Sequence, residues 1–273
     1  MAAYIRLTNF IEHMKFKPTV PAATVLMTIL AITIVPRLHQ SYTIWYNLGP
    51  AGAIPRNILG WLVQGLVNPL AYSDPLSLSL FRQASIVKLY GANGQRSFLP
   101  GYKLPYRNGS RPHVPAGFVV VPQRQTAQKG SPEMICQMEA YMRFLAQANP
   151  QLLKIESSRL EGVGNPALFL ADGLSNPLVG GNMRGELVHR HGEGSSHMVL
   201  SLADAEEAVK KGWSQRFRLS NVILVPATYV MVYAPRNEEE LAIWKSLVLA
   251  SARFILANES TELMDEGVKS NKE

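Results

Sequence analysis

The sequence predicts an α+β fold: an N-terminal transmembrane helix, then a single domain with a mostly antiparallel sheet and flanking helices. Three observations lead there. No charged residue occurs between Pro18 and Pro36. Two strand-like segments, one holding His189 and His191 and the next opening at His197, are joined by Gly192-Glu193-Gly194, a hairpin turn. Helix-start signals alternate with short apolar runs, which suits hairpins packed under helices better than a doubly wound parallel sheet.

The first helix rests on Val20–Val35, almost wholly apolar. Sixteen helical residues cover roughly 24 Å, a little less than the ~30 Å hydrocarbon core. Lys15, Lys17 and Arg37 can extend the match by snorkelling, and Tyr42, Trp45 and Tyr46 follow where an interfacial aromatic belt belongs. A cleaved signal peptide is the rival, but the stretch before the apolar core is long and no small-x-small site follows it. Ile58–Val67 is too short to cross a bilayer; it reads as an interfacial helix or one capping the soluble domain, with Gly60 and Gly65 allowing close approach. Residues 91–115 form a Gly-, Pro- and Arg-rich connector, followed by a short strand at Phe118–Val121.

Ser131-Pro132 opens a helix that Asn149-Pro150 stops, and Cys136 within it reads as a small buried hydrophobe. Strands follow at Leu152–Ser158 and Ala167–Leu170, then the two histidine strands. Ser201 to Asp204 resembles a capping box opening a helix that ends at Gly212. Strands are expected at Trp213–Leu219 and Thr228–Tyr233, and a last helix from Asn237 to about Ala257. The domain limits expected are 1–18 (flank), 19–36 (transmembrane helix), 37–115 (connector), 116–257 (α+β domain) and 258–273 (disordered tail).

With 273 residues and 47% apolar content the chain can hold one sizeable domain plus an appendage. Residues 1–130 carry 13 Lys and Arg against 2 Asp and Glu, a balance of +11, so the rest of the +7 chain carries −4. Basic charge beside an apolar anchor suits an anionic lipid surface, and no aromatic-interleaved basic motif supports nucleic acid as a partner. One cysteine excludes an intrachain disulfide.

Half of the six histidines, His189, His191 and His197, fall within nine residues. His189 and His191 should share a strand face, with Arg190 pointing the other way and His197 returning toward them. General acid/base work is the preferred reading, because imidazole titrates near neutral pH. A three-imidazole metal site is the chemical alternative, with Glu193 the nearest carboxylate in sequence. Strand histidines satisfied by hydrogen bonds are the third. Ser195 and Ser196 lie outside any nucleophile elbow and read as turn residues. Gly162-Val-Gly164 and Gly180-Gly181 lack the spacing of a phosphate cradle, so no nucleotide cofactor is expected. Trp213 and the tyrosines Tyr229 and Tyr233 are candidates for a pocket wall, although core packing is the commoner fate of such rings. Arg236, at a strand-to-helix corner, is a candidate anion contact.

Several spaced segments resemble the fungal luciferase family. They are Leu104-Pro-Tyr-Arg-Asn-Gly-Ser-Arg-Pro112, Gln123-Arg-Gln-Thr126, Glu186-Leu-Val-His-Arg-His191, Val209-Lys-Lys-Gly-Trp213, Gln215-Arg216 and Tyr233-Ala-Pro-Arg-Asn-Glu-Glu-Glu240, with His197 before an apolar strand. The namesake enzymes are membrane-associated and add molecular oxygen to a hydroxylated styryl-pyrone, 3-hydroxyhispidin, without an added cofactor. The resulting peroxide loses carbon dioxide and leaves an excited product. The resemblance implies that His189, His191 and His197 belong to the pocket where a pyrone enol is deprotonated; Trp213, Tyr233 and Arg236 remain the substrate-binding candidates from the residues themselves. It implies no metal and no cofactor. The partners it implies are a small molecule, the lipid bilayer and molecular oxygen as candidate co-substrate. Two departures stand out: Phe217 occupies the place where the luciferases carry His, and the 191–197 hairpin is shorter than theirs. Many members of the family come from non-luminous species, so light emission is not expected, and the function expected is oxygenation, with or without decarboxylation, of an enolisable aromatic or polyketide-like secondary metabolite. The alternatives are a cyclase, isomerase or decarboxylase on the same scaffold, or a non-catalytic binding protein. A single-pass membrane location follows, with the endoplasmic reticulum the compartment to test.

Overall fold

The computed structural model describes residues 21–50, 52–101, 103–162, 164–222, 225–257 and 263–265. It divides into two compact units, residues 1–43 and 44–273. The first unit holds most of helix α1 (Ala22–Asn47), which is long and apolar enough, by length and composition, to cross a membrane. This helix continues through Pro36. Its stop lies instead at Gly49, a positive-φ residue whose N–H bonds to Tyr46 O. The expected N-terminal flank, 1–18, and the first two residues of the expected transmembrane helix, 19 and 20, lie outside the described residues.

In the second unit, α2 (Ile58–Leu66) is capped by Asn57, whose side chain accepts from Leu59 N and Gly60 N. It buries Trp61 and Gln64 and exposes Ile58, Leu59, Leu62, Val63 and Leu66. Both glycines are used for close approach. A Cβ on Gly60 would sit 1.9 Å from Pro55 O, and one on Gly65 would sit 2.0 Å from the Phe118 ring. The strand expected at Phe118–Val121 does not form. Gln64 takes that segment's hydrogen bonds instead, donating to Phe118 O and accepting from Val120 N and Val121 N.

Helix α3 (Ala84–Gln95) bends at Gly91. Helix α4 (Pro132–Ala148) starts at Ser131, whose hydroxyl accepts from Met134 N, and buries Met134, Met138, Tyr141, Met142 and Leu145. Cys136 falls off that stripe and is exposed, which corrects the expectation of a buried thiol. Helix α5 (Leu202–Lys210) is capped by Ser201 as expected, and α6 (Glu238–Ile255) by Asn237. The Asp204 carboxylate accepts from Ser97 Oγ and Phe98 N, tying α5 to the connector.

Among the described residues six strands make one antiparallel sheet, lying side by side in the order first, second, third, fourth, sixth, fifth along the chain. They are β1 (Leu153–Ser157), β2 (Pro166–Leu170), β3 (Glu186–Arg190), β4 (Ser196–Val199), β5 (Ser214–Arg216) and β6 (Tyr229–Val232). Strand β5 is shorter than expected because the chain turns at Phe217, whose carbonyl accepts from Ser220 N. Helix α4 packs on β1 and β2, and α6 on β3 and β4. Arg190 reaches Glu139 of α4 at 2.6 Å, and Trp244 of α6 donates to Ser196, so both helices cover the face carrying Arg190 and Ser196. The histidines occupy the opposite face, under loops rather than helices. Of the expected disordered tail, 258–262 and 266–273 lie outside the described residues. Between them Met264 N and O both bond to the Asn149 side chain.

Candidate active site

His189 and His197 are direct partners across the β3–β4 ladder, so both project from one face. His191 follows the end of β3, where its N–H bonds to Ser195 O and its carbonyl accepts from Gly194 N. Gly194 has φ +94 in this turn, and a Cβ there would press on Ala234 at 3.1 Å. The three rings are buried, with centroids 5.2, 5.4 and 5.0 Å apart. One ring nitrogen from each lies within 4.8 Å of the other two.

Two carboxylates beside this cluster escaped the sequence reading. Glu186 Oε1 sits 2.5 Å from His189 Nδ1. An odd separation of three residues should put these side chains on opposite faces. A register shift between Leu168 and Phe169, however, pairs Phe169 with Glu186 while Ala167 still pairs with His189, so the irregularity brings Glu186 onto the histidine face. Glu161 arrives from the β1–β2 loop, Oε1 lying 3.1 Å from His191 Nε2 and 3.6 Å from His189 Nε2. Ser158 shapes that loop: its hydroxyl accepts from Leu160 N and Glu161 N and donates to Glu186 Oε1. The other Glu161 oxygen pairs with Arg124, which also donates to Leu48 O and Pro50 O. Glu193, the carboxylate nearest in sequence, accepts from Ser195 Oγ, which also bonds His191 Nδ1 at 2.8 Å.

These placements set the protonation of the cluster. Burial disfavours charge on His189, but Glu161 and Glu186 outweigh it and push its pKa up to about 9. Burial, together with the neighbouring His191 and His189 charges, holds His197 well below the usual imidazole range. Burial also works against the Glu161 carboxylate, yet His191 and His189 keep it far below the usual carboxylate range. The arrangement therefore combines an ionised carboxylate, a neutral imidazole and a place for positive charge among the rings.

A cavity of about 510 Å³ opens onto this cluster, a size suited to a small aromatic ligand. His189, His197, Glu161, Phe217 and Tyr229 line it, with Arg159 and Arg184 also at its wall. Tyr229 stacks on His197 at 4.8 Å, and Phe217 stands edge-on to the same ring at 5.1 Å. Trp213, Tyr233 and Arg236 do not line this cavity. Trp213 donates from Nε1 to Pro105 O, the Tyr233 hydroxyl donates to Gln215, and Arg236 pairs with Glu240 and donates to Asn108 O. Arg107 joins them, 3.1 Å from Glu240 and over the Tyr233 ring at 5.5 Å. Their partners come largely from the 104–112 segment, so this group braces that connector against the sheet.

Residues 184–251 match the Luciferase domain family. The chain is 30% identical over 236 residues to a luciferase of Armillaria ostoyae, covering 81% of this chain and 82% of that protein. This protein belongs to the fungal luciferase family. It is also 29% identical over 251 residues to a luciferase of Armillaria gallica, covering 86% and 87% of the two chains. A luciferase of Neonothopanus nambi is 25% identical over 286 residues, covering 97% and 99%. No solved structure matches. The matched domain spans β3 to α6 and so contains all three histidines, whereas Glu161 and Arg124 lie before it.

Proposed function

We propose that this luciferase-family protein is an oxygenase that acts on a small enolisable aromatic or polyketide-like molecule in the cavity above His189, His191 and His197. The observation that carries the reading is the convergence of three buried imidazoles and the ionised Glu161 at the wall of a ligand-sized cavity. An enol lying against Tyr229 and Phe217 gives up its proton to the Glu161–histidine cluster. The resulting enolate is electron-rich enough to reduce dioxygen: a new C–O bond forms, the substrate carbon is oxidised and the dioxygen becomes a peroxide. The cluster returns the proton to the distal peroxide oxygen. Decarboxylation of that peroxide is a further step for substrates that carry an ester or lactone beside the reacting carbon. Helix α1 and the apolar face of α2 favour a lipid bilayer as the second partner, which suits delivery of a poorly soluble substrate.

The test is oxygen consumption by the purified full-length protein with a hydroxypyrone, read with an electrode. Uptake that requires the protein, with label from ¹⁸O₂ appearing in the product, is the expected result. Product formed without oxygen uptake would favour the cyclase, isomerase or decarboxylase reading, for which Phe217 in place of a fourth imidazole is the supporting observation. Ligand binding with no product at all would favour a binding protein.

A further inference from the structure

Resting on the oxygenase reading above, we propose that His189, His191 and His197, completed by Glu161, bind one divalent first-row transition-metal ion at the wall of the cavity. Three buried ring nitrogens of the cluster lack a well-formed hydrogen bond. His189 Nδ1 is taken by Glu186 and His191 Nδ1 by Ser195, which is itself held by Glu193. Both Nε2 atoms are buried and lack a well-formed hydrogen bond, with Glu161 Oε1 3.1 Å from that of His191 and 3.6 Å from that of His189, and His197 Nδ1 is also buried without one. Orphaned polar atoms are expensive inside a protein and rarely left so. Here they cluster on three rings that touch one another, and a single cation would satisfy the first two together.

The surroundings fit a cation in charge as well as in donors. Glu161, Glu186 and Glu193 bring three carboxylates to the cluster and Arg124 offsets one of them, which leaves a charge that balances a divalent ion held by neutral imidazoles. Nitrogen donors with one carboxylate oxygen select borderline ions such as iron, manganese, cobalt or zinc over magnesium or calcium. Glu186 and the Ser195–Glu193 pair contact the far nitrogens of His189 and His191, the position from which carboxylates and hydroxyls orient histidine ligands at metal sites. Ion–nitrogen distances of about 2.1 Å place ligand atoms roughly 3.4 Å apart. The present separations, at most 4.8 Å, are wider than that, so the three rings would draw together on the ion. Because His189, His197 and Glu161 also line the cavity, the ion's remaining position faces the substrate. It would bind an enolate oxygen there as a Lewis acid, steadying the charge left when the enol loses its proton. An ion buried this deeply stays with the protein and needs no addition to an assay.

The test uses the full-length chain in detergent, stripped with a chelator and titrated with Co²⁺ alone. The expected result is about one equivalent bound, with the visible ligand-field bands of a nitrogen–oxygen site. A rise in Tm of about 5–10 °C at an excess near 100-fold over Kd should accompany it. His191→Gln and His197→Gln should each weaken binding by more than about 100-fold, and Glu186→Gln by about 10- to 100-fold. Near-UV circular dichroism of each stripped variant against the stripped parent separates lost ligands from lost fold. Binding below about a tenth of an equivalent in a folded parent overturns the site, as do unchanged affinity and bands in folded His191→Gln and His197→Gln. Oxygen uptake by stripped protein that binds no Co²⁺ overturns the metal site and spares the oxygenase reading. Stoichiometric binding without oxygen uptake supports the site and removes the reading on which its chemistry rests.

Discussion

Ser158→Ala removes a single hydroxyl from the loop that delivers Glu161, and its effect can be worked from three bonds. The side chain is 3% exposed. It accepts from Glu161 N at 2.9 Å and Leu160 N at 3.2 Å, and donates to Glu186 Oε1 at 2.9 Å. Each neutral bond is worth about 1 kcal/mol net, and the bond to the charged Glu186 about 1.5 kcal/mol or more. Two backbone N–H groups are left without that acceptor, although the cavity that Leu160 and Glu161 line can admit water beside them. A loss of roughly 2–3 kcal/mol follows. In a folded unit of this size that corresponds to a fall in Tm of about 4–12 °C. The functional loss should exceed the stability loss, because Glu161 and Glu186 both lose an orienting contact while the histidines keep their strands. Oxygen uptake should drop about tenfold or more in protein that is still folded at the assay temperature. Thermal unfolding by circular dichroism and an oxygen electrode read the two effects. A Tm within 1 °C of the parent together with unchanged uptake would refute the claim that Ser158 positions the carboxylates.

Two further outcomes concern stability and location. Burial works against the Glu240 carboxylate, but Arg236 and Arg107 outweigh it and hold its pKa below the usual 4.5. A lowered folded-state pKa contributes stability that is present above about pH 4.5 and lost as pH falls through the folded value. Glu240→Gln should therefore cost about 2 kcal/mol at neutral pH, and the gap to the parent should narrow in urea titrations run below pH 4.5; a gap independent of pH would count against the pair. For α1, the full chain should stay with membranes through a carbonate wash, while a chain beginning near residue 48 should be released. A shortened chain that still pellets would move the anchoring role to the apolar face of α2.

The legible parts were those set by local periodicity. His189 and His197 on one face, Arg190 on the other, and the helix starts at Ser131, Ser201 and Asn237 all follow from spacing within a few residues. What stayed hidden depends on contacts between distant segments. Glu186 reaches the histidine face only through the irregularity at Leu168/Phe169, which strict alternation cannot anticipate. Glu161 is carried there by a turn that Ser158 holds after β1, and no spacing rule in the sequence marks that turn. Phe118–Val121 looks like a strand because it is apolar, but its donors belong to Gln64. Trp213 and Tyr233 read as pocket-wall rings and Arg236 as an anion contact from their residue types and local position. The arginines of the 104–112 segment and Glu240 draw them into a separate network.

The central claim is that the histidine–Glu161 cluster is the reacting centre and the Trp213–Tyr233–Arg236 network is not. Steady-state oxygen uptake with a hydroxypyrone, compared across His197→Gln, Glu161→Gln and Arg236→Lys in folded full-length protein, tests it most directly. The account predicts losses in kcat/KM of about 100-fold or more for the first two, the scale of lost acid–base or ligand chemistry, with Arg236→Lys within a few-fold of the parent. Unimpaired uptake in His197→Gln and Glu161→Gln, with Arg236→Lys inactive, would contradict it.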